Sequence, residues 1–265
     1  MQIADPRSRL LVALDVESGA RALELAEHLR DTAGGFKIGS RLFTLEGPSL
    51  VRSLADTGVR VFLDLKFHDI PNTVAQAVES AVVTGAWMVN VHASGGVPMM
   101  QAAAKAAVDT ARMARKPKPL VIGVTVLTSM DEPTLHDVGV SRPLMEQVVE
   151  LAKMAQRAGL DGVVASPLET REIRDTCGAD FAVVTPGIRG AAAGAEKNDQ
   201  NRTMGPVMPS RPVRPIWSSG ARSSRRPIRA PPPKPSARKY ARRWRSRAGL
   251  KACSYHRLFH SNVMR

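Results

Sequence analysis

The chain lacks the features that mark secreted, disulfide-stabilised or membrane-spanning proteins. Its two cysteines, Cys177 and Cys253, cannot make a disulfide framework and have no metal-ligand spacing. No run approaches the roughly 20 apolar residues that cross a bilayer. The apolar run at 10–14 is stopped by Asp15, so it is a poor signal peptide. We therefore expect a reduced, cytoplasmic protein with no membrane partner.

Acidic residues are missing from one part of the chain only. Residues 201–265 contain 17 of the 38 lysines and arginines, 9 of the 19 prolines and none of the 24 acidic residues. The net charge of +14 therefore comes from this segment, while the preceding residues are slightly acidic. The change in composition predicts a catalytic domain over 1–205 and an aberrant basic, Pro- and Arg-rich tail over 206–265, which we expect to be disordered.

Seven short apolar runs alternate with helical patterns from residue 10 to about 185. The runs are apolar on both faces, as is typical of parallel strands covered by helices, and lie at 10–14, 35–39, 59–65, 86–91, 119–127, 161–165 and 180–185. The clearest helical pattern is 141–158, with Ser141 as the expected N-cap and Gly159 after its end. Such β-then-α units predict a parallel sheet with right-handed crossovers.

Polar residues at the strand ends favour a closed barrel over an open sheet. They include Asp15, Lys37, Asp64, Lys66, Asn90, His92, Thr128, Ser129, Ser166 and Thr185. In a (β/α)8 TIM barrel all of these ends face one mouth, where such enzymes place their chemistry. An open sheet would show a Gly-rich turn after its first strand, which is absent here. Since only seven units are visible, the predicted fold is an α/β TIM barrel whose eighth strand and helix are missing or scrambled, leaving the first and seventh strands with unpaired edges.

A lysine between carboxylates is the main chemical feature of the sequence. Asp64 and Lys66 share one face of an otherwise apolar strand, and Lys37 ends the neighbouring strand. Together with Asp69 they can form a row of alternating charge. A salt bridge that closes the barrel mouth is one interpretation, since buried ions are costly unless paired. Alternatively, a lysine kept protonated by carboxylates can donate a proton where a carbanion forms.

The segment DLKFHDIPNT at 64–73 resembles the orotidine 5′-phosphate decarboxylase family, in its bacterial form. Asp15, Lys37, LTS at 127–129, VTPGIR at 184–189 and the pair at 199–200 follow the family's order and spacing as far as about residue 206. The resemblance implies decarboxylation of orotidine 5′-monophosphate to UMP and CO2, the last step of de novo pyrimidine nucleotide biosynthesis. It also implies that neither a cofactor nor a metal is needed.

The resemblance assigns catalytic roles to four residues. Lys66 would protonate C6 of the pyrimidine, Asp64 would lie against the substrate carboxylate, and Lys37 would bridge Asp64 and the ribose. Asp69, with Thr73, would complete the site of the partner in a homodimer. Asp15 would bind the ribose, Thr128 and Ser129 would contact the base, and Arg189 and Gln200 would help to clamp the base and phosphate. The other expected substrate-binding residues are Leu65, Phe67, His68, Ile70, Pro71, Asn72, Pro186 and Gly220.

The family's eighth strand, with the Gly-Arg pair that grips the substrate phosphate, is not readable in this chain. Gly220 falls at the expected distance, but Ala221 follows it instead of arginine. One possible coding of residues 215–225, read from its third base, gives DLVVGRPIVA, a buried strand that contains Gly-Arg. We infer a frameshift near codons 206–214.

Two other functions stay open at the level of sequence. Related sugar-phosphate decarboxylases and aldolases share the Asp-x-Lys-x-x-Asp pattern but usually employ Mg²⁺, and the continuation Ile70-Pro71-Asn72-Thr73 argues against them. A polybasic nucleic-acid-binding protein would act through residues 202–257, with a steep dependence of affinity on salt. We expect no nucleic-acid partner, because the slightly acidic part of the chain carries the motifs.

Overall fold

Strands and helices alternate along the chain in the computed structural model, which describes residues 6–188 and 252–256. The strands are β1 Leu10–Ala13, β2 Gly35–Gly39, β3 Val61–Phe67, β4 Met88–His92, β5 Leu120–Val124, β6 Gly162–Val164, β7 Ala182–Ile188 and β8 Ala252–His256. The helices are α1 Gly19–Leu29, α2 Ser40–Asp56, α3 Pro71–Thr84, α4 Gly96–Met113, α5 Glu132–Asp137, α6 Leu144–Arg157 and α7 Thr170–Cys177.

The strands form a closed barrel in chain order. Each strand from β1 to β6 pairs in parallel with the next one, so the prediction of seven parallel strands in a TIM-type barrel is confirmed. All seven carboxyl ends therefore face the same mouth. No described helix is long and apolar enough to span a membrane.

The eighth position of the barrel is filled in an unexpected way. β8 runs antiparallel to both neighbours, with Cys253 opposite Leu11 of β1 and Ser254 opposite Thr185 of β7. The described residues thus contain no parallel eighth strand, in agreement with the sequence. The expected unpaired edges of β1 and β7 were wrong, because β8 pairs with both. Residues 252–256 of the tail form β8, while the rest of 206–265 lies outside the described residues.

Apolar side chains fill the barrel and the layer between strands and helices. The inner cluster comes from strands alone and comprises Leu11, Phe62, Met88, Ile122, Ala182 and Val184. The larger cluster joins the outer face of the strands to the helices, and α6 contributes Val148, Leu151, Ala152 and Ala155. Both faces of the sheet are buried, which explains the continuous apolar runs in the sequence.

The start of α6 differs from the sequence-based expectation. The helix begins at Leu144 with Pro143 as its N-cap residue, so the prediction of Ser141 as the cap was wrong. Proline disfavours helical backbone in the residue before it, here Arg142, and this prevents an earlier start. The predicted end is confirmed, since Gly159 follows α6 with φ of +81°.

Candidate active site

Four charged side chains from the first three strands meet at the mouth of the barrel. Lys37 Nζ lies 3.3 Å from Asp64 Oδ2 and 3.8 Å from Asp15 Oδ1, and Lys66 Nζ lies 2.7 Å from Asp64 Oδ1. The side chains of Lys37 and Asp64 are only 12% and 13% exposed, whereas that of Lys66 is 37% exposed. Asp64 is thus the centre of the network, and Lys66 is the cation that reaches solvent.

Two opposing effects act on the Asp64 carboxyl group. Its burial favours the neutral acid, but the ammonium groups of Lys37 and Lys66 favour the anion, as do hydrogen bonds from Lys66 and Asn90. The balance holds the pKa of Asp64 below its ordinary value. Asp64 is therefore an anion at neutral pH despite its burial.

Lys66 reaches Asp64 through an irregular backbone. Its φ is +54°, in the left-handed region that costs a residue with a Cβ roughly 1–2 kcal/mol. The pairing of β3 with β4 shifts register between Leu63 and Phe67, on either side of this residue. The Lys66 N–H donates to Asn90 Oδ1 at 2.8 Å. This bond from the neighbouring strand helps to hold a conformation that a regular strand would not adopt.

Asn90 was expected at the mouth of the barrel, but the sequence-based assignment gave it no role in the site. It is fully buried on β4, and its Nδ2 donates to Asp64 Oδ1 at 2.7 Å. The signal was a single amide inside the apolar sequence Met88-Val89-Asn90-Val91, at the end of a strand. A buried amide in such a place needs hydrogen-bond partners.

Two histidines line the same side of the mouth. The rings of His68 and His92 lie 5.1 Å apart between centroids and are tilted by 31°. Burial lowers the pKa of His92, and the nearby His68 and Lys66 lower it further. In the described part of the chain, no three His, Cys, Asp or Glu residues are grouped so that they could hold a metal.

The segment that follows Phe67 is exposed and contributes no ion pair to this network. Asp69, Ile70, Pro71, Asn72 and Thr73 are all exposed, and Pro71 begins α3. The Asp69 carboxylate accepts a hydrogen bond from the Ile70 N–H at 2.6 Å. The row of charge within one chain thus contains three of the four predicted members, and Asp69 lies apart from them.

The other predicted substrate contacts are spread around the mouth. Leu65 and Phe67 are half-buried and pack against the core, and Thr128 and Ser129 lie in the loop between β5 and α5. Pro186 is a half-buried residue of β7. Arg189, Gln200 and Gly220 lie outside the described residues.

Fold and site together define a barrel enzyme whose mouth carries a lysine paired with a buried carboxylate. Residues 8–213 match the sequence profile described as the orotidine 5′-phosphate decarboxylase / HUMPS family. Because this match covers most of the chain, the chain belongs to that family.

Individual relatives agree with the family assignment. The chain is 53% identical over 204 residues to orotidine 5′-phosphate decarboxylase of Syntrophotalea carbinolica, a match that covers 77% of this chain and 83% of the relative. It is 50% identical over 202 residues to the enzyme of the same name from Moorella thermoacetica, covering 76% and 79%. The crystal structure of orotidine 5′-phosphate decarboxylase from Lactobacillus acidophilus superposes with a TM-score of 0.62 at 36% identity, covering 68% of this chain and 80% of that one.

Proposed function

We propose that this chain is a carboxy-lyase that converts orotidine 5′-monophosphate to UMP and CO2. The observation that carries the proposal is the contact of both Lys66 and Lys37 with the same largely buried carboxylate, that of Asp64. The family membership and the names of the relatives support the same activity. In the cell this reaction would complete pyrimidine nucleotide synthesis, and we expect it to take place in the cytoplasm.

Lys66 supplies the proton in the proposed reaction. The bond between C6 and the carboxyl carbon breaks, CO2 leaves, and the electron pair stays on C6 of the pyrimidine. A proton from the Lys66 ammonium group then forms the C6–H bond of UMP. The positive charge of Lys66 also stabilises the developing carbanion, because it is fixed in place by Asp64 before the substrate reacts.

Asp64 acts on the substrate carboxylate and on Lys66 at once. As an anion it orients the ammonium group, and it repels a substrate carboxylate placed beside it. Loss of CO2 removes this repulsion, so the interaction favours the product side of the bond cleavage. Such a strained ground state needs binding energy from remote parts of the nucleotide.

The remote parts of the nucleotide are bound by the remaining residues of the mouth in this proposal. Lys37 and Asp15, which lie 3.8 Å apart, would contact the ribose hydroxyls. Thr128 and Ser129 would contact the base. Arg189, Gln200 and Gly220 would bind the base and phosphate. Because Ala221 replaces the arginine after Gly220, we expect weak binding of the phosphate.

We further propose that the active unit is a homodimer. Asp69 and Thr73 are exposed at the start of α3, away from the ion network of their own chain. Between them Ile70 is 66% exposed, which is unusual for a large apolar side chain and suits an interface. In a two-fold dimer, Asp69 and Thr73 would contribute to the partner's site.

The test is the substitution Lys66→Ala in the full chain, assayed for loss of orotidine 5′-monophosphate. We expect kcat to fall by at least about 100-fold, because the proton donor is removed, while UMP still binds. The control is Lys105→Ala, which removes an exposed lysine of α4 and should leave kcat unchanged. Wild-type kcat in Lys66→Ala would refute the assignment.

A second test addresses the Mg²⁺-dependent alternative. That alternative predicts that EDTA abolishes turnover, and our proposal predicts that it does not.

A further inference from the structure

Asn90 joins the two reacting side chains of the proposed mechanism. Its Oδ1 accepts the backbone N–H of Lys66 at 2.8 Å, and its Nδ2 donates to Asp64 Oδ1 at 2.7 Å. The same carboxylate oxygen accepts from Lys66 Nζ at 2.7 Å. Three hydrogen bonds thus close a ring through the amide, the carboxylate and the lysine.

The chemistry of the two partners fixes the orientation of the Asn90 amide. A backbone N–H can only donate, so the amide oxygen must face Lys66. An ionised carboxylate can only accept, so the amide nitrogen must face Asp64. The opposite orientation would bring donor against donor and acceptor against acceptor. Asn90 therefore selects both the ionised form of Asp64 and one backbone position for Lys66.

We propose that Asn90 is a positioning residue for the decarboxylation, which holds Lys66 in its left-handed backbone conformation and orients the ionised Asp64. This inference rests on the proposed function. Asn90 needs no contact with the substrate for this role. Asn90 acts instead by fixing the direction of the Lys66 ammonium group and by favouring the ionised form of Asp64.

The surroundings of Asp64 determine which pH effects this role produces. Lys37 faces the carboxylate from β2, Lys66 from β3, and Asp15 lies beyond Lys37 after β1. On the side of β4, His92 is close enough to both Asp64 and Lys66 for their charges to act on it, and His68 stacks against His92. Asn90 does not ionise. Its replacement thus changes the hydrogen bonding of Asp64 without removing an ion.

Two substitutions separate positioning from simple packing. Asn90→Leu keeps the approximate size but removes both hydrogen bonds, and we expect kcat to fall by about 100-fold with KM changed by less than about threefold. Asn90→Asp keeps the shape. When protonated, it can still donate to Asp64 and accept from Lys66, but when ionised it cannot donate.

The pH profile of Asn90→Asp is therefore diagnostic. Burial beside the Asp64 anion raises the pKa of a carboxyl group placed at this position. Turnover by Asn90→Asp should then be best at low pH and fall as pH rises, while Asn90→Leu stays slow at every pH. A residue that only fills space would give both variants the profile of the unsubstituted chain.

The control is Thr84→Val, which removes another buried side-chain hydrogen bond, from Thr84 Oγ1 to the Ala81 carbonyl oxygen at 2.8 Å. It lies at the far end of α3 and should change neither kcat nor the pH profile. If Asn90→Leu fails to fold, the profile of Asn90→Asp decides alone. An Asn90→Asp profile that matches that of the unsubstituted chain overturns the inference.

A readout without turnover separates this inference from the proposed function. The titration of the Asp64 carboxyl carbon can be followed by NMR, with its signal assigned through Asp64→Asn. We expect a higher midpoint in Asn90→Leu than in the unsubstituted chain, because a donor to the anion is lost. If the unsubstituted chain does not decarboxylate the nucleotide, the proposed function fails, and an unshifted midpoint overturns the role of Asn90.

Discussion

At the scale of single residues, the state of Asp64 is set by its neighbours rather than by solvent. Its side chain is 13% exposed, yet two lysines and one amide contact its two oxygens. Removing a partner from a buried ion pair is costly, because the remaining charge is left without compensation. Loss of one member of the network should therefore destabilise the fold as well as impair the chemistry, and both effects depend on the ionised state of Asp64.

This dependence predicts how acid affects Asp64→Asn. The folded pKa of Asp64 lies below the unfolded one, so its contribution to stability is complete above the unfolded pKa and is lost as pH falls through the folded pKa. We expect Asp64→Asn to lower the free energy of unfolding by about 3 kcal/mol at neutral pH. Urea unfolding at a series of pH values should show this difference shrinking in acid. A difference that stays constant down to about pH 3 would contradict the prediction.

The sequence predicted the charged members of the site but not how they are held. Alternation along a strand correctly brought Asp64 and Lys66 together, although the real backbone departs from alternation, with φ of +54° at Lys66. That departure depends on Asn90, which is 24 residues away in the chain and adjacent only after β3 and β4 pair. Local patterns carry no information on such a contact.

At the scale of elements, the pairing of β6 with β7 leaves no room for a side chain at Gly162. A Cβ built there would lie 2.2 Å from the Ala182 carbonyl oxygen and 2.5 Å from Ala182 Cβ. The backbone of the neighbouring strand cannot move away without breaking the ladder. Glycine is therefore required at this point by close approach rather than by its φ angle.

We expect Gly162→Ala to lower the free energy of unfolding by about 3 kcal/mol. The matched control is Gly123→Ala on β5, where an added Cβ would meet only side chains, Ala155 Cβ at 3.2 Å and Leu160 Cδ1 at 3.3 Å. These side chains can shift, so the control should cost less. Chemical denaturation of both variants checks the order, and equal losses would show that the backbone contact is not decisive.

The elements that sequence reasoning found are those with a local signal. The seven parallel strands and α6 had apolar runs or a helical period, and only their ends moved, as at Pro143. β8 had no such signal. Its five residues lie in a basic segment, and its pairing with β1 joins residues at least 240 positions apart. Such a strand is recognised only from its pairing with β1 and β7, which local sequence patterns do not reveal.

At the scale of the whole molecule, closure of the barrel and completion of the site are separate matters. β8 covers the edges of β1 and β7, which removes the exposed ladder groups that would pair with other chains. An antiparallel strand, however, does not bring a loop and helix to the mouth as a parallel one does. The inferred frameshift thus affects phosphate binding more directly than it affects the ion network, which comes from the first three strands and is supported by Asn90 of β4.

In the proposed homodimer, each active site combines Lys66 of one chain with Asp69 of the other. Lys66→Ala and Asp69→Ala should each be inactive alone, because each removes one residue from both sites of a homodimer. If Asp69 serves the partner's site, a mixed dimer has one site with both residues intact and one with neither. Refolding the two variants together in equal amounts should therefore restore about 25% of the wild-type activity, since half of the dimers are mixed and each mixed dimer has one intact site of two.

The matched control mixes Lys66→Ala with Lys37→Ala. Both residues belong to the same chain's network, so every site in this mixture stays incomplete. Recovery in the first mixture but not in the second supports a shared site, whereas no recovery in either places Asp69 in the site of its own chain.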